Sequence, residues 1–141
     1  MRTSHIISGI LLLGVIATGC ARKNEVIEPA PRAIGGLGGN NTLVVTPRHH
    51  TKDINGSVVY IKYDTLGTTT TNFDAFDTVK FVDGRPIVKF ESLKAGNYYL
   101  YASGFDNDSL VSGGAGFTIV DTFENTYFLY LDVLHPGEEM K

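Results

Sequence analysis

The segment 88–106, VKFESLKAGNYYLYASGFD, constrains the fold of this chain more than any other stretch. Apolar and polar residues alternate on both sides of the short stretch Lys94-Ala95-Gly96. A period of two places one face of a strand on a core and the other face toward water. The segment therefore predicts a strand, a tight turn and a returning strand, with Leu93, Tyr98 and Leu100 facing the core.

Similar strand patterns recur through the last hundred or so residues at a spacing of roughly ten residues, and no helical period appears. Asp83-Gly84 favours a two-residue hairpin turn, because glycine tolerates a positive φ. Segments 64–76 and 105–116 are rich in Thr, Asn, Asp and Gly and are predicted to be loops. Pro47 is expected to end the first strand, since it cannot donate to a ladder. The sequence predicts an all-β domain over residues 42–141, a seven-stranded antiparallel β-sandwich.

Residues 1–19 have the pattern of a lipoprotein signal peptide. Arg2 supplies a positive charge, and the apolar run 6–16 is shorter than the roughly 20 residues needed to span a membrane. The sequence Ile-Ala-Thr-Gly-Cys that ends at Cys20 resembles a bacterial lipobox, in which the cysteine is lipidated. Cys20 is the only cysteine and cannot form an internal disulfide. The alternative is an ordinary secretory signal that leaves a free thiol.

Residues 20–41 are predicted to comprise the lipidated cysteine and a flexible tether, because they contain paired glycines and two prolines without periodicity. Ala21 stands where the inner-membrane retention signal of enteric bacteria has Asp, which favours the outer membrane. Whether the domain faces the periplasm or the cell surface stays open. The chain is mildly acidic, with 12 Lys and Arg against 15 Asp and Glu, so no nucleic-acid partner is expected.

The central segment resembles the F-x-x-L-x-x-G-x-Y-x-L signature of transthyretin-like (prealbumin-like) domains, which include carboxypeptidase regulatory-like and Cna B-type modules. Phe90, Leu93, Gly96, Tyr98 and Leu100 match it. The resemblance implies that the leucines and the tyrosine pack the core and that the glycine makes the turn. With its leader, the chain is similar to small lipoproteins of the Bacteroidetes. Because this fold carries many unrelated roles, the resemblance implies no activity.

A pair of adjacent histidines is the first candidate for a chemical site. His49 and His50 follow the first predicted strand, and His135 is a possible third ligand. Imidazole binds Cu, Zn and Ni well. Neighbours on a strand point to opposite faces, so the pair can share an ion only if it lies in a loop. The alternative is two hydrogen-bonded or solvated loop histidines.

Two further patterns suggest binding. Segment 106–109, Asp-Asn-Asp-Ser, places oxygen ligands as calcium sites do, although the same residues suit a plain turn. Tyr99, Tyr101 and Phe105 alternate opposite to the core row, with Tyr60 and Tyr63 as possible neighbours. If that face is exposed, it suits contact with a sugar, peptide or protein; the alternative is that other parts of the chain cover it.

Catalysis has little support, because the chain lacks a nucleophile-elbow serine and a phosphate-binding glycine loop. We therefore expect a protein that is not an enzyme. The first hypothesis is a lipid-anchored binding or adaptor module of the cell envelope, attached to the membrane through Cys20, with a protein or glycan partner. The second is an envelope protein that handles Cu or Zn through His49 and His50. The third is a structural component of a surface assembly.

Overall fold

The computed structural model describes residues 34–139. All of the regular secondary structure in this range is β-strand, which confirms the prediction of an all-β domain. Within the same range there is no helix long and apolar enough to cross a membrane. The predicted signal peptide, Cys20 and the tether up to residue 33 lie outside the described residues.

Nine strands form two sheets, where the sequence predicted seven strands. The five-stranded sheet has the order β2-β1-β6-β5, with β9 also paired to β1, and the four-stranded sheet has the order β4-β3-β7-β8. Their bounds are β1 Leu37–His49, β2 Lys52–Asp53, β3 Val58–Tyr63, β4 Ala75–Thr78, β5 Lys80–Val82, β6 Arg85–Leu93, β7 Gly96–Asp106, β8 Ser109–Ile119 and β9 Thr126–Asp132. The short strands β2 and β4 account for the difference.

The two sheets share one apolar core, in a sandwich-like arrangement. The five-stranded sheet contributes residues such as Leu43, Val45, Val88 and Leu131, and the four-stranded sheet contributes Val59, Ile61, Ala102 and Val111. The predicted core residues Leu93, Tyr98 and Leu100 are fully buried. Alternation in segment 88–106 therefore identified the correct inward face of both strands.

One strand pair is parallel, which corrects the prediction of a purely antiparallel sandwich. Strand β9 runs parallel to β1, from Thr42 opposite Thr126 to Arg48 opposite Asp132. The cause is the path of the chain: β8 ends beside the start of β7, and the Thr42 N–H donates to the Asn125 carbonyl at 2.9 Å. The chain thus enters β9 at the end where β1 begins, and both strands leave in the same direction.

Strand β1 is longer than the sequence predicted at both of its ends. It begins at Leu37, within the segment assigned to the tether, because residues 37 and 41 both pair opposite Leu93 across a bulge. It also continues through Pro47 to His49. Pro47 pairs opposite Leu131 of β9, and its carbonyl accepts from the Ile54 N–H at 2.8 Å. The strand therefore continues through Pro47 although this residue has no N–H to donate.

Strand β8 occupies most of a segment that was predicted to be a loop. Asn107 and Asp108 have φ of 48° and 63° and form a two-residue turn between paired Asp106 and Ser109, as in a type I′ hairpin. Gly114 is a strand residue, and glycine is needed there because a Cβ at this position would overlap the Tyr99 hydroxyl. Gly114 and Gly116 thus reflect close side-chain packing, whereas Gly113 lies against the backbone of Asp132. The predicted Asp83-Gly84 hairpin is confirmed, with φ of 52° and 77° at these two residues.

The sandwich has two ends that differ in chemistry. We call one the histidine end: it contains His49, the hairpin 106–109 and the residues that follow β9. We call the other the entry end: it contains Ile34, the turn 93–96 and the loop 120–125. Strands β1 and β7 both run from the entry end to the histidine end.

Candidate metal centre

Three of the four histidines of the chain meet at the histidine end. The ring centroid of His49 lies 4.3 Å from that of His50 and 4.5 Å from that of His135. The parallel pairing of β1 and β9 is the reason, because the Val133 N–H donates to the Arg48 carbonyl at 2.9 Å. The residues after β9 therefore lie beside the last residues of β1.

The backbone of His50 lets two adjacent histidines face the same site. His49 is the last residue of β1 and is 7% exposed. His50 lies in the following turn with a φ of 54°, and its side chain is 65% exposed. A left-handed residue breaks the alternation that would send neighbouring strand side chains to opposite faces. Because His50 lies in a turn, the two histidines can share an ion, as the sequence analysis required of a pair in a loop.

Glu138 completes the cluster, and sequence reasoning missed it. Its carboxylate oxygens lie 3.3 Å from His49 Nε2 and 3.0 Å from His50 Nε2. One ligand atom from each of these three residues falls within 4.8 Å of the others. Two nitrogens and a carboxylate oxygen at this spacing form a donor set that suits a divalent transition metal.

A turn after His135 brings Glu138 back to the histidines. The Glu138 N–H donates to the His135 carbonyl at 3.0 Å, and the His135 N–H donates to Glu138 Oε2 at 3.0 Å. Pro136-Gly137 is the sequence signal of such a turn, since proline fixes the first central φ and Gly137 takes a φ of 86°. This Pro-Gly pair directly after His135 is the signal that could have identified Glu138.

Asp106 orients the buried histidine. His49 Nδ1 lies 2.9 Å from Asp106 Oδ2, and Lys52 Nζ donates to Asp106 Oδ1 at 2.8 Å. An ionised carboxylate can only accept, so His49 donates through Nδ1 to Asp106. Nε2 faces Glu138 and donates to it in the same way when no metal ion is bound. The arrangement is that of a carboxylate behind a metal-binding histidine. Asp106, predicted as a possible calcium ligand, is thus engaged by His49 and Lys52.

The charges of the cluster stabilise one another. The hydrogen bond to Asp106 raises the pKa of His49, burial opposes this, and Glu138 adds to the increase. Hydrogen bonds from Lys52 and then His49 lower the pKa of Asp106. The pKa of Glu138 is lowered by the His135 backbone N–H and then by His49. The centre thus favours positive charge between two carboxylates, whether that charge is a proton or a metal ion.

His135 lies beside the three ligand atoms and is not one of them. Its ring meets His49 edge-on, with an interplanar angle of 76°. Its Nδ1 lies 3.1 Å from the Leu110 carbonyl, which can only accept, so this nitrogen carries the proton. The structure therefore brings all three predicted histidines together but replaces His135 with Glu138 in the donor set.

The predicted aromatic binding face is largely covered. Tyr99 is only 5% exposed, so at this residue the alternative applies, in which other parts of the chain cover the face. Its ring lies along β8, and Leu66 of the loop between β3 and β4 covers the adjacent Gly116. Tyr101 is half-buried, and the ring of Phe73 stacks on it with a centroid distance of 5.8 Å.

The remaining aromatic residues of that prediction are dispersed. Phe105 is exposed at the histidine end, in β7 opposite Leu110 of β8. Tyr60 lies opposite Tyr101, with ring centroids 6.2 Å apart, while the ring of Tyr63 packs edge-on against core residue Tyr98. Tyr99, Tyr101 and Phe105 therefore do not form one exposed row.

A groove that the sequence did not predict crosses the outer face of the five-stranded sheet. Its volume is about 560 Å³. Its walls and floor come from β1, β5, β6 and β9 and include Thr42, Thr46, Arg85, Lys89, Phe128 and Tyr130. Phe128 is well exposed there, so one wall is aromatic and the opposite wall is charged.

Comparison of the chain with protein-family models, curated proteins and solved structures found no match.

Proposed function

We propose that this chain is a lipid-anchored protein of the bacterial cell envelope that binds a transition-metal ion, Zn(II) or Cu(II), through His49, His50 and Glu138. The observation that carries the proposal is the convergence of two imidazole Nε2 atoms on one carboxylate, at 3.3 and 3.0 Å. The protein holds the ion and performs no catalytic step, in keeping with the sequence prediction that it is not an enzyme.

The spacing of the donor atoms supports a metal ion. Ligand atoms bound at about 2.0–2.1 Å to a tetrahedral zinc ion lie roughly 3.3 Å from one another. The distances from the two histidine nitrogens to the carboxylate oxygens of Glu138 are close to this value. Three protein ligands also leave a fourth position for water or another ligand.

The anchor is proposed from the leader sequence. The apolar run 6–16 and the residues before Cys20 match a lipoprotein signal, and the acyl chains on Cys20 would attach the protein stably to the outer membrane. The intact mass of protein isolated from membranes tests this part of the proposal. A mass that retains residues 1–19 or carries no acyl groups contradicts it.

We further propose that the two sheets adopt a transthyretin-like arrangement. Burial of Phe90, Leu93, Tyr98 and Leu100, together with the turn at Gly96, supports it, since these residues match the signature of that fold class. The parallel β1–β9 pair and the nine strands are the features to compare in an experimentally determined structure. A different strand order there would contradict the assignment.

Metal titration tests the central proposal. The mature protein, prepared without a histidine tag and stripped with a chelator, is titrated with Zn(II) and with Cu(II) by calorimetry and native mass spectrometry. We expect a stoichiometry of one Zn(II) or one Cu(II) ion bound per chain. His50→Ala and Glu138→Gln should each weaken binding at least about tenfold, because each removes one ligand.

Glu139→Gln is the matched control, since it makes the same change at an exposed neighbouring residue. It should bind the ion as the unmodified protein does. The proposal would be contradicted if the protein bound neither Zn(II) nor Cu(II), or if Glu138→Gln and Glu139→Gln bound the ion equally well. Circular dichroism of each variant shows whether the β-sheet content is preserved.

A second candidate function is a non-catalytic adaptor that binds a glycan in the groove of the five-stranded sheet. Exposed Phe128 beside Tyr130 favours it, because sugar rings stack on aromatic side chains while their hydroxyl groups bond to charged residues such as Arg85. Sedimentation with isolated cell-wall glycan tests it. Retention that Phe128→Ala leaves unchanged would contradict this candidate.

A further inference from the structure

The entry end carries large apolar side chains that the fold does not bury. Ile34, Leu37, Val120 and Phe123 are 69%, 59%, 73% and 79% exposed. Isolated exposed apolar residues are common, but a group at one end of a domain often marks a contact surface. Phe123 is the most exposed of the large hydrophobic residues in the range 34–139.

The strand register places these four residues at the same end. Leu37 pairs opposite Leu93 at the β6–β7 turn, and Gly96 pairs opposite Ile119, so the next residue, Val120, leaves β8 there. Ile34 lies beside Gly96, since its carbonyl carbon would be 3.0 Å from a Cβ at that glycine. Phe123 lies in the loop 120–125, whose last residue accepts from the Thr42 N–H at 2.9 Å near the start of β1, so all four residues lie at the entry end.

Hydrogen bonds fix the loop that carries Val120 and Phe123. The Asn41 side-chain amide donates to the Leu93 carbonyl at 3.3 Å and to the Asp121 carbonyl at 2.8 Å. The Tyr127 hydroxyl donates to the Asp121 carboxylate. These bonds tie the loop 120–125 to the start of β1 and to the β6–β7 turn. Val120 and Phe123 therefore lie on a loop that these hydrogen bonds hold in place.

The entry end is also where the chain arrives from Cys20. Thirteen residues separate Cys20 from Ile34, and a chain of this length spans at most about 50 Å. A short tether raises the effective concentration of the attached domain at the surface to which it is linked. A small apolar surface can therefore dock onto a bilayer that it would not bind without the anchor.

The charge at the entry end indicates which feature of the bilayer is recognised. Exposed Lys94 is accompanied by Asp121 and by exposed Glu124, so no basic cluster is present among the described residues there. Attraction to anionic headgroups requires several Lys or Arg residues together. Insertion of apolar side chains at the boundary between headgroups and acyl chains fits the surface better.

We propose that the entry end docks onto the phospholipid surface, with Val120 and Phe123 inserted at the interface. This inference rests on the proposed lipid anchor and is independent of metal binding. Strand β1 has 13 residues, so docking places the histidine end roughly 40 Å from the bilayer at about 3.3 Å per residue. The metal centre would then face away from the membrane, where ions and partners can reach it.

A site-specific probe tests the docked orientation. The full lipidated protein is reconstituted in vesicles of phosphatidylethanolamine and phosphatidylglycerol. Cys20 is the only cysteine and is blocked by acylation in the proposed anchor, so Phe123→Cys introduces a single free thiol for a fluorescent label. Phe105→Cys, an exposed phenylalanine at the histidine end, is the matched control. Nitroxide-labelled phospholipid should quench the label at position 123 strongly and the label at position 105 little.

Each other outcome has a distinct meaning. Equal weak quenching at both positions in vesicle-bound protein would overturn docking while leaving the anchor intact. A label at position 123 that is shielded from water but not quenched would indicate contact with a second protein copy, which also overturns the proposal. Protein that fails to float with the vesicles would overturn both the anchor and docking. A label at Val120→Cys repeats the test at a second site.

Discussion

His49 Nδ1 lies 2.9 Å from Asp106 Oδ2, and this bond joins the end of β1 in one sheet to the end of β7 in the other. Lys52 occupies the second carboxylate oxygen of Asp106. The bond fixes both the tautomer and the ring orientation of His49, so that Nε2 is turned toward Glu138. The proposed metal centre therefore depends on a residue that does not touch the ion.

The first prediction concerns this supporting bond. Asp106→Asn should weaken binding of Zn(II) by about 10–100-fold, because the neutral amide holds the His49 ring less firmly and lowers its basicity. Asp108→Asn, in the same hairpin but exposed, is the matched control and should bind normally. Affinity is measured by competition with a chromophoric chelator. Equal affinities for the two variants would exclude a supporting role for Asp106.

The second prediction separates Glu138 from His135 as the third ligand. His135→Phe retains an aromatic ring against His49 but removes both ring nitrogens. We expect it to change the affinity for Zn(II) less than threefold, whereas His50→Phe should weaken it at least about tenfold. A loss of affinity in His135→Phe as large as that in His50→Phe would place His135 among the ligands. Calorimetric titration of both variants gives the comparison.

Local sequence patterns predicted the core but not the meeting of distant segments. The alternation around Leu93, Tyr98 and Leu100 identified their inward face, since a period of two is a property of each strand alone. Whether β9 pairs in parallel with β1 depends on where β8 returns the chain, which no local pattern contains. Glu138 was missed for this reason: its position depends on that pairing and on the turn after His135.

Packing also misled sequence reasoning in β8 and decided whether the aromatic face is exposed. Gly114 looked like a loop residue, but it is glycine because the Tyr99 ring lies against the strand. Tyr99 alternates with the core residues, and the sequence left open whether its face is exposed or covered. In the structure Tyr99 is buried: its ring packs on β8 at Gly114, and Leu66 lies over the neighbouring Gly116. The alternation in β7 correctly placed Tyr99 on the face opposite the core. Whether that face is buried depended on the loop between β3 and β4.

The third prediction tests the core. Leu100→Ala should lower the free energy of unfolding by about 2–5 kcal/mol, because the side chain is fully buried between the sheets and its loss leaves a cavity. Ser103→Ala, on the outer face of the same strand, should change it by less than about 0.5 kcal/mol. Urea unfolding followed by circular dichroism measures both. Similar stabilities for the two variants would refute the core assignment of Leu100.

The fourth prediction concerns acid stability at the entry end. The Tyr127 hydroxyl donates to the Asp121 carboxylate and, with Asn125, holds the pKa of Asp121 below its usual value. A carboxyl group whose pKa is lower in the folded state stabilises the fold above its unfolded pKa of about 3.9. That contribution is lost as the pH falls through the folded pKa. Tyr127→Phe should therefore destabilise the protein most near neutral pH, and the difference from the unmodified protein should shrink below about pH 4.

The Asp121→Asn background is the control for this pH dependence. Without an ionisable group at position 121, Tyr127→Phe should have nearly the same cost at every pH, because the hydroxyl no longer bonds to a charge. The free energy of unfolding of all four proteins is measured by urea denaturation between pH 3 and 7. A gap between Tyr127→Phe and the unmodified protein that stays constant with pH would show that the Tyr127–Asp121 bond does not control the ionisation of Asp121.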